Sequence, residues 1–182
     1  MKIIYILWGL SEVIISRVYR ARSADQQNED KYSLAVIWIV IIAAIMAAVY
    51  ISSHVAAPLS ATNTPAYVGL GLLLLGMLLR FWVIASLGRF FTTNVTIRQN
   101  HALKTDGFYK YIRHPAYAAS LLSFMGFGIS LNNGVALVVV ITAVGLAFYN
   151  RIRIEEKLLM KHFGQQYIAY MKHTWRLVPF IF

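Results

Sequence analysis

Two clusters in this chain carry the residue types needed to hold a charged small molecule at a membrane surface. The first is Arg113-His114-Pro115-Ala116-Tyr117, and the second is Glu155-Glu156. Each stands at the water-facing end of a strongly apolar segment, where charged groups are expensive unless they do a job. Pro115 suits the first turn of a helix, because the N–H it lacks would have no partner there. It also pushes His114 towards an extended backbone and so marks the helix start. The N–H groups of that start favour a carboxylate or phosphate. Arg113 adds a fixed positive charge, and Tyr117 lies one turn in. The same residues also suit a plain helix cap with a snorkelling arginine and an interfacial tyrosine.

In the second cluster, Asn150-Arg151-Ile152-Arg153-Ile154-Glu155-Glu156 continues a helix out of the apolar layer. Arg151 and Glu155 are four apart and share a face, and Arg153 and Glu156 are three apart and share another. Read plainly, these are two solvated helix ion pairs, each contributing a few tenths of a kcal/mol. That reading covers Arg153 and Glu156. Arg151 and Glu155 differ by position. The preceding segment is joined to theirs by only Asn132-Asn133-Gly134, a tight turn. A hairpin so short must bring Arg151 and Glu155 close to His114 and Tyr117.

The elements that position these residues follow from composition. The chain has 182 residues, 59% of them hydrophobic, with a mean hydropathy of +0.61. A water-soluble fold of this length could not bury so much apolar surface, so part of its solvent is lipid. Cysteine is absent, which excludes disulfides, thiolate metal sites, iron–sulfur clusters and cysteine nucleophiles. Five apolar segments are expected at roughly 3–18, 34–52, 66–87, 117–131 and 135–149.

The net charge is +10, and fifteen of the seventeen basic residues cluster in three regions. They lie around the first connection (Arg17 to Lys31), in the third (Arg89 to Arg113) and after the fifth segment (Arg151 to Arg176). The stretches 53–65 and 132–134 contain none. This flanking of membrane spans argues against nucleic-acid binding. By the positive-inside rule it places the N-terminus outside and the C-terminus in the cytosol. A cleavable signal peptide over residues 1–24 is disfavoured by Glu12 in the apolar run and by the arginines before the only suitable cleavage site.

The expected fold is an all-α integral membrane protein of about five transmembrane helices, the last two a tight hairpin. Glu12 and Arg80 fall inside apolar segments and are expected to pair, either as a structural bridge or as the lining of a substrate portal. Gly69, Gly71, Gly76, Gly126 and Gly128 lie in apolar helices and are expected to allow close helix contact. Gly164 should break the last long helix, leaving an amphipathic tail at the interface.

The run His101-Ala102-Leu103-Lys104, then Gly107 and Tyr109, then Arg113-His114-Pro115-Ala116-Tyr117, is followed by Glu155-Glu156, Phe163-Gly164, Tyr167, Tyr170 and Arg176-Leu177-Val178-Pro179. Over residues 101–180 this pattern resembles the isoprenylcysteine carboxyl methyltransferase family, itself related to membrane phospholipid methyltransferases. The resemblance implies one membrane domain over residues 1–182. Residues 1–87 would supply three spans and 88–182 the cofactor-binding part. The pocket would be cytosolic, formed by the 88–116 connector and the C-terminal segment.

The resemblance further implies S-adenosylmethionine as methyl donor, with S-adenosylhomocysteine as product and no metal. His101, Ala102, Leu103, Lys104, Tyr109, Arg113, His114, Pro115, Ala116, Tyr117 and Glu155 would bind the cofactor. Arg151 would face the acceptor, which makes Arg151 and Glu155 the catalytic candidates. Two positions depart from the pattern: Lys104 stands where a hydrophobic residue is usual, and Ala119 where glycine is frequent.

Methyl transfer to an ionised carboxylate is an in-line displacement that requires orientation and exclusion of water rather than a base. Arg151 has the fork geometry to clamp such a carboxylate. A phospholipid amine or a lipid-like hydroxyl would need a base, for which His114 or Glu155 could serve. The partners expected are thus a lipophilic or lipidated acceptor and membrane lipid. A small membrane adaptor is the non-enzymatic alternative, with both clusters reduced to caps and ion pairs.

Overall fold

Long runs of Leu, Ile, Val and Ala, broken only at Gly, Pro and Asn, give the helices their bounds. The computed structural model describes residues 1–19, 33–88, 91 and 103–179. Six α-helices lie among the described residues: α1 (Lys2–Val18), α2 (Ser33–His54), α3 (Thr64–Leu87), α4 (Pro115–Ser130), α5 (Gly134–Phe163) and α6 (Gln165–Lys172). A short 3-10 turn at Gly107–Lys110 precedes α4. Prolines open α3 and α4. The Asn133 side chain caps α5 by accepting from the Ala136 amide at 2.9 Å. Gly164, at φ 54°, ends α5 and starts α6, a left-handed turn that favours glycine.

By length and composition α2, α3 and α5 can each cross a membrane. α1 and α4 are shorter, at 17 and 16 residues. Ile6, Ile39, Leu78 and Val138 stay exposed on the outer faces, a surface suited to lipid rather than water. α5 runs on past its apolar part through Arg151–Glu156, with Arg151, Ile152 and Glu156 buried. The expected tight hairpin is present. Asn132 holds Ser60 through both backbone groups, the Asn133 amide donates to the Val55 carbonyl at 2.7 Å, and the Gly134 amide donates to Ala57 at 2.8 Å.

α3 and α4 touch backbone to backbone. A Cβ at Gly126 would come within 2.6 Å of the Gly69 carbonyl oxygen, and one at Gly76 within 2.6 Å of the Ser123 amide nitrogen. The close-contact reading therefore holds for Gly69, Gly76 and Gly126. It holds for Gly128 as well, against α5, where a Cβ would lie 3.1 Å from the Leu137 Cα, whereas Gly71 faces open space. Gly126→Val is expected to wedge the two helices apart and destabilise the bundle by about 1–3 kcal/mol or more. Gly71→Ala should be neutral. Thermal melts of the two variants in detergent check the contrast.

α1 meets the rest through side chains. Tyr5 shares a 2.8 Å hydrogen bond with Ser130, and Trp8 packs on Phe124 and Phe127 with ring centroids 4.8 and 5.7 Å away. Glu12 pairs with Arg80 at 3.0 Å, as the isolated charges predict. This spacing leaves a space between α1, α2 and the α3–α4–α5 core.

Candidate functional site

His114 is the N-cap of α4, with Pro115 in the first turn. The Tyr117 and Ala118 amides both donate to the His114 carbonyl, at 3.1 and 3.2 Å. Pro115 has no N–H, so Ala116 carries the first amide of α4 without an intrahelical partner. The segment before His114 is stitched to the tail after α6. Arg113 N–H donates to Trp175 O at 2.8 Å, His114 N–H to Arg176 O at 3.1 Å, and Trp175 N–H to Tyr111 O at 2.9 Å. These bonds form a parallel bridge between Ile112 and Trp175.

One carboxylate fastens this arrangement. Glu156 is 3% exposed. It accepts from Arg113 Nε at 3.0 Å on one oxygen and from Arg176 Nε at 2.9 Å on the other, and His114 Nε2 lies 3.4 Å away. The expectation of a solvated Arg153–Glu156 helix pair is therefore wrong. α5 turns Glu156 inward, where two arginines distant in sequence compete for it, and such partners are invisible to helix spacing. Arg113 also donates to the Met171 and Thr174 carbonyls, so its guanidinium is engaged by the tail as well as by Glu156.

Glu155, one residue earlier, faces the cavity. The Tyr117 hydroxyl donates to it at 3.0 Å, and His114 Nδ1 lies 3.8 Å from its other oxygen. The hairpin thus brings His114, Tyr117 and Glu155 together as expected. Arg151, one turn back on the same face of α5, is buried and donates to the Ser33 hydroxyl at the start of α2.

Three tyrosines, Tyr109, Tyr167 and Tyr170, line one end of the site. The Tyr170 hydroxyl donates to the Tyr109 carbonyl at 2.6 Å. Burial pushes the Tyr170 phenol up to about 12. Burial, and then the nearby Glu155 charge, raises Tyr109 further. Tyr167 is raised by burial and by the Glu156 and Glu155 charges. All three are neutral hydrogen-bond donors at physiological pH. The Tyr167 hydroxyl is buried without a partner among the described residues.

These groups border one cavity of about 300 Å³. Its polar end holds Lys104, Tyr109, Tyr167 and Tyr170. Its middle holds His114, Tyr117, Arg151 and Glu155, and its apolar end reaches Trp8, Phe124 and Phe127 inside the bundle. Leu103, Lys104, Tyr109, Arg113, Pro115 and Ala116 also lie on its wall. His101 and Ala102 fall outside the described residues, as do Arg20, Arg22, Lys31, Arg89 and Arg98. Lys104 directs its ammonium to Asp106 at 2.9 Å, and that contact lowers the Asp106 pKa. Glu12 of α1 and Arg80 of α3, expected to pair as a bridge or as the lining of a portal, both border the cavity, whereas sequence reasoning missed Trp8 and Ile15 of α1 and Ile37 and Trp38 of α2 on its wall. The signal was available in part, since Trp8, Glu12 and Ile15 recur on one helical face.

The profile of the isoprenylcysteine carboxyl methyltransferase family matches residues 69–161. Protein-S-isoprenylcysteine O-methyltransferase B of Arabidopsis thaliana is 36% identical over 115 residues, which are 62% of this chain and 58% of that protein. The protein-S-isoprenylcysteine O-methyltransferase of Schizosaccharomyces pombe is 34% identical over 114 residues, 62% of this chain and 48% of its own length. The match thus spans about half to three-fifths of these relatives. A solved structure of the eukaryotic intramembrane Ras methyltransferase ICMT superposes with a TM-score of 0.74 at 26% identity, covering 98% of this chain and 64% of that one.

Proposed function

Since this chain belongs to the isoprenylcysteine carboxyl methyltransferase family, we propose that it is an integral membrane enzyme that methylates the carboxylate of an isoprenylcysteine-like or other lipophilic acceptor. Its donor would be S-adenosylmethionine, and S-adenosylhomocysteine would leave. One observation carries the reading: a single cavity is bordered by polar and charged groups, among them Tyr117, Arg151 and Glu155, and also by the apolar side chains of Phe124, Phe127 and Ile41. An amphiphile and a zwitterionic donor could meet only in such a space.

The residues present fit the donor. The buried Tyr167 hydroxyl lacks a partner among the described residues, and the Ala116 amide opens the α4 N-terminus towards a carboxylate. Glu155 is partly exposed and suits ribose hydroxyls or an ammonium. When bound, the donor supplies a methyl group activated by its positive sulfur. Arg151 clamps the acceptor carboxylate, aimed by its bond to Ser33. Tyr117 holds Glu155 in place. Phe124 and Phe148, in edge contact with centroids 6.2 Å apart, keep water from the apolar side. His101 and Ala102 complete the cofactor set with Leu103, Lys104, Tyr109, Arg113, His114 and Pro115, of which Arg113 acts mainly by positioning Glu156.

In this reading α1 and α4 also span, which gives five transmembrane helices in one domain. The N-terminus lies outside, and the site and C-terminus face the cytosol, in line with the fifteen clustered basic residues. The close approach of His114 to Glu155 favours a second reading, in which that pair deprotonates a hydroxyl or an amine.

Detergent-purified protein incubated with methyl-tritiated S-adenosylmethionine and a lipid extract should release base-labile methyl, the mark of an ester. Base-stable label would support the hydroxyl or amine acceptor. No transfer, together with no binding of S-adenosylhomocysteine, would support an adaptor instead.

A further inference from the structure

Three helices set the depth of the cavity, and they agree. On α2 the residues bordering it run from Leu34 to Ile45, on α4 from Pro115 to Phe127, and on α1 from Ser16 to Tyr5. At the rise of an α-helix each run is roughly 16–18 Å long. The α2 run starts beside Ser33, to which the Arg151 guanidinium donates. The depth is therefore measured from the group that faces the acceptor carboxylate.

Aromatic rings cross the far end. The Tyr5 ring meets Phe127 edge-on with centroids 5.4 Å apart, and the Trp8 ring lies 5.7 Å from the same phenylalanine. The Tyr5 and Ser130 hydroxyls share a 2.8 Å bond that ties α1 to α4 there. Past Ile45, Ala48 of α2 and Ala136 and Val140 of α5 are fully buried. Packing of that kind has the density of an organic crystal and leaves no room for a chain to continue. Charged and polar groups nearer the mouth are engaged within the protein: Glu12 pairs with Arg80 at 3.0 Å, and the Ser16 hydroxyl donates to the Val13 carbonyl at 2.8 Å.

An extended chain advances about 1.2 Å per bond, one third of the span of an extended peptide unit. Counted from the carboxyl carbon, S-prenylated cysteines with two, three and four isoprene units reach roughly 13, 18 and 23 Å. The shortest leaves the end of the cavity empty. The longest runs into the rings. The middle one matches the depth.

We propose that the cavity gauges the length of the acceptor's tail, with Tyr5, Trp8 and Phe127 as its stop, and takes a three-isoprene thioether in preference to a shorter or a longer one. The inference rests on the methyltransferase reading, which puts the acceptor carboxylate at Arg151. Gly9 sets the free width beside Trp8. It borders the cavity, and a Cβ built on it would meet no atom within 4 Å. A side chain there fills cavity rather than packed protein and halts the tail above the rings. It also replaces a helical glycine, which favours α1.

The test titrates full-length protein in detergent with N-acetyl-S-geranylcysteine, N-acetyl-S-farnesylcysteine and N-acetyl-S-geranylgeranylcysteine, which carry two, three and four units. Affinities are read by calorimetry and referred to concentration in the micelle, and methyl transfer is followed on the same samples. The farnesyl compound should bind at least about tenfold tighter than either neighbour. Gly9→Leu should move the optimum to the geranyl compound, and Phe127→Ala should move it to the geranylgeranyl compound. A loss of stability cannot shift a length optimum in opposite directions. If a thermal melt shows Phe127→Ala to be unfolded, Gly9→Leu decides alone, because it removes no packing. Equal affinity for the farnesyl and geranylgeranyl compounds in the unsubstituted protein (the result expected if a long tail slips out between α1 and α2), or an optimum that Gly9→Leu leaves in place, would overturn the proposal. A length optimum in binding without methyl transfer refutes the methyltransferase reading and leaves the gauge standing. Transfer to all three compounds with equal kcat/KM refutes the gauge alone.

Discussion

Glu156→Ala should unfasten the C-terminal tail and destabilise the protein by about 3–5 kcal/mol, the range for breaking a buried ion pair by removing one partner. The side chain is 3% exposed and lies between Arg113 and Arg176, with His114 against it. Without it two guanidiniums face each other across a dry space, and the bonds from Arg113 and His114 to Trp175 and Arg176 lose their anchor. Because His114 caps α4 beside the cavity, binding of S-adenosylhomocysteine should fall with stability. Two measurements check this: a thermal melt, and tryptic cleavage at the exposed Lys172, which should accelerate. Glu156→Gln, which keeps the shape and half the acceptor capacity, should fall between. A melt unchanged in Glu156→Ala would refute the fastening role.

Arg151→Ala should lower turnover by about 10²–10³-fold, the loss typical of removing one preorganised electrostatic contact from a reacting group. Affinity for S-adenosylhomocysteine should stay within a few-fold. The separation follows from position. Arg151 lies one turn deeper on α5 than Glu155, in the buried middle of the cavity, away from the tyrosines of the polar end. Arg151→Lys should recover little, because an ammonium cannot form the two-pronged contact with a carboxylate. Calorimetry for the cofactor product and methyl transfer for turnover read the two quantities independently. Affinity that collapses along with turnover would place Arg151 in the cofactor site instead.

The parts of this molecule legible in the sequence were those set by local rules. Apolar runs, Pro115 and Asn132-Asn133-Gly134 define the α4–α5 hairpin. A hairpin that tight leaves His114, Tyr117 and Glu155 nowhere to go but together. Lone charges in lipid-facing helices must pair, and Glu12 finds Arg80. Glu156 was misread because its true partners, Arg113 and Arg176, are 43 and 20 residues away. Helix periodicity ranks only neighbours three or four apart. The place of Trp8 and Ile15 on the cavity wall was hidden for a related reason: the apolar residues of a short helix read the same whether they face lipid or wall a cavity.

The Glu156 clasp also imposes a timetable on biosynthesis. Among the described residues every helix long enough to cross a bilayer precedes Arg176 in the chain, so the bundle can form while this carboxylate has only Arg113 and His114 for company. The polar end of the cavity closes when Trp175 and Arg176 emerge from the ribosome and fold back onto the start of α4.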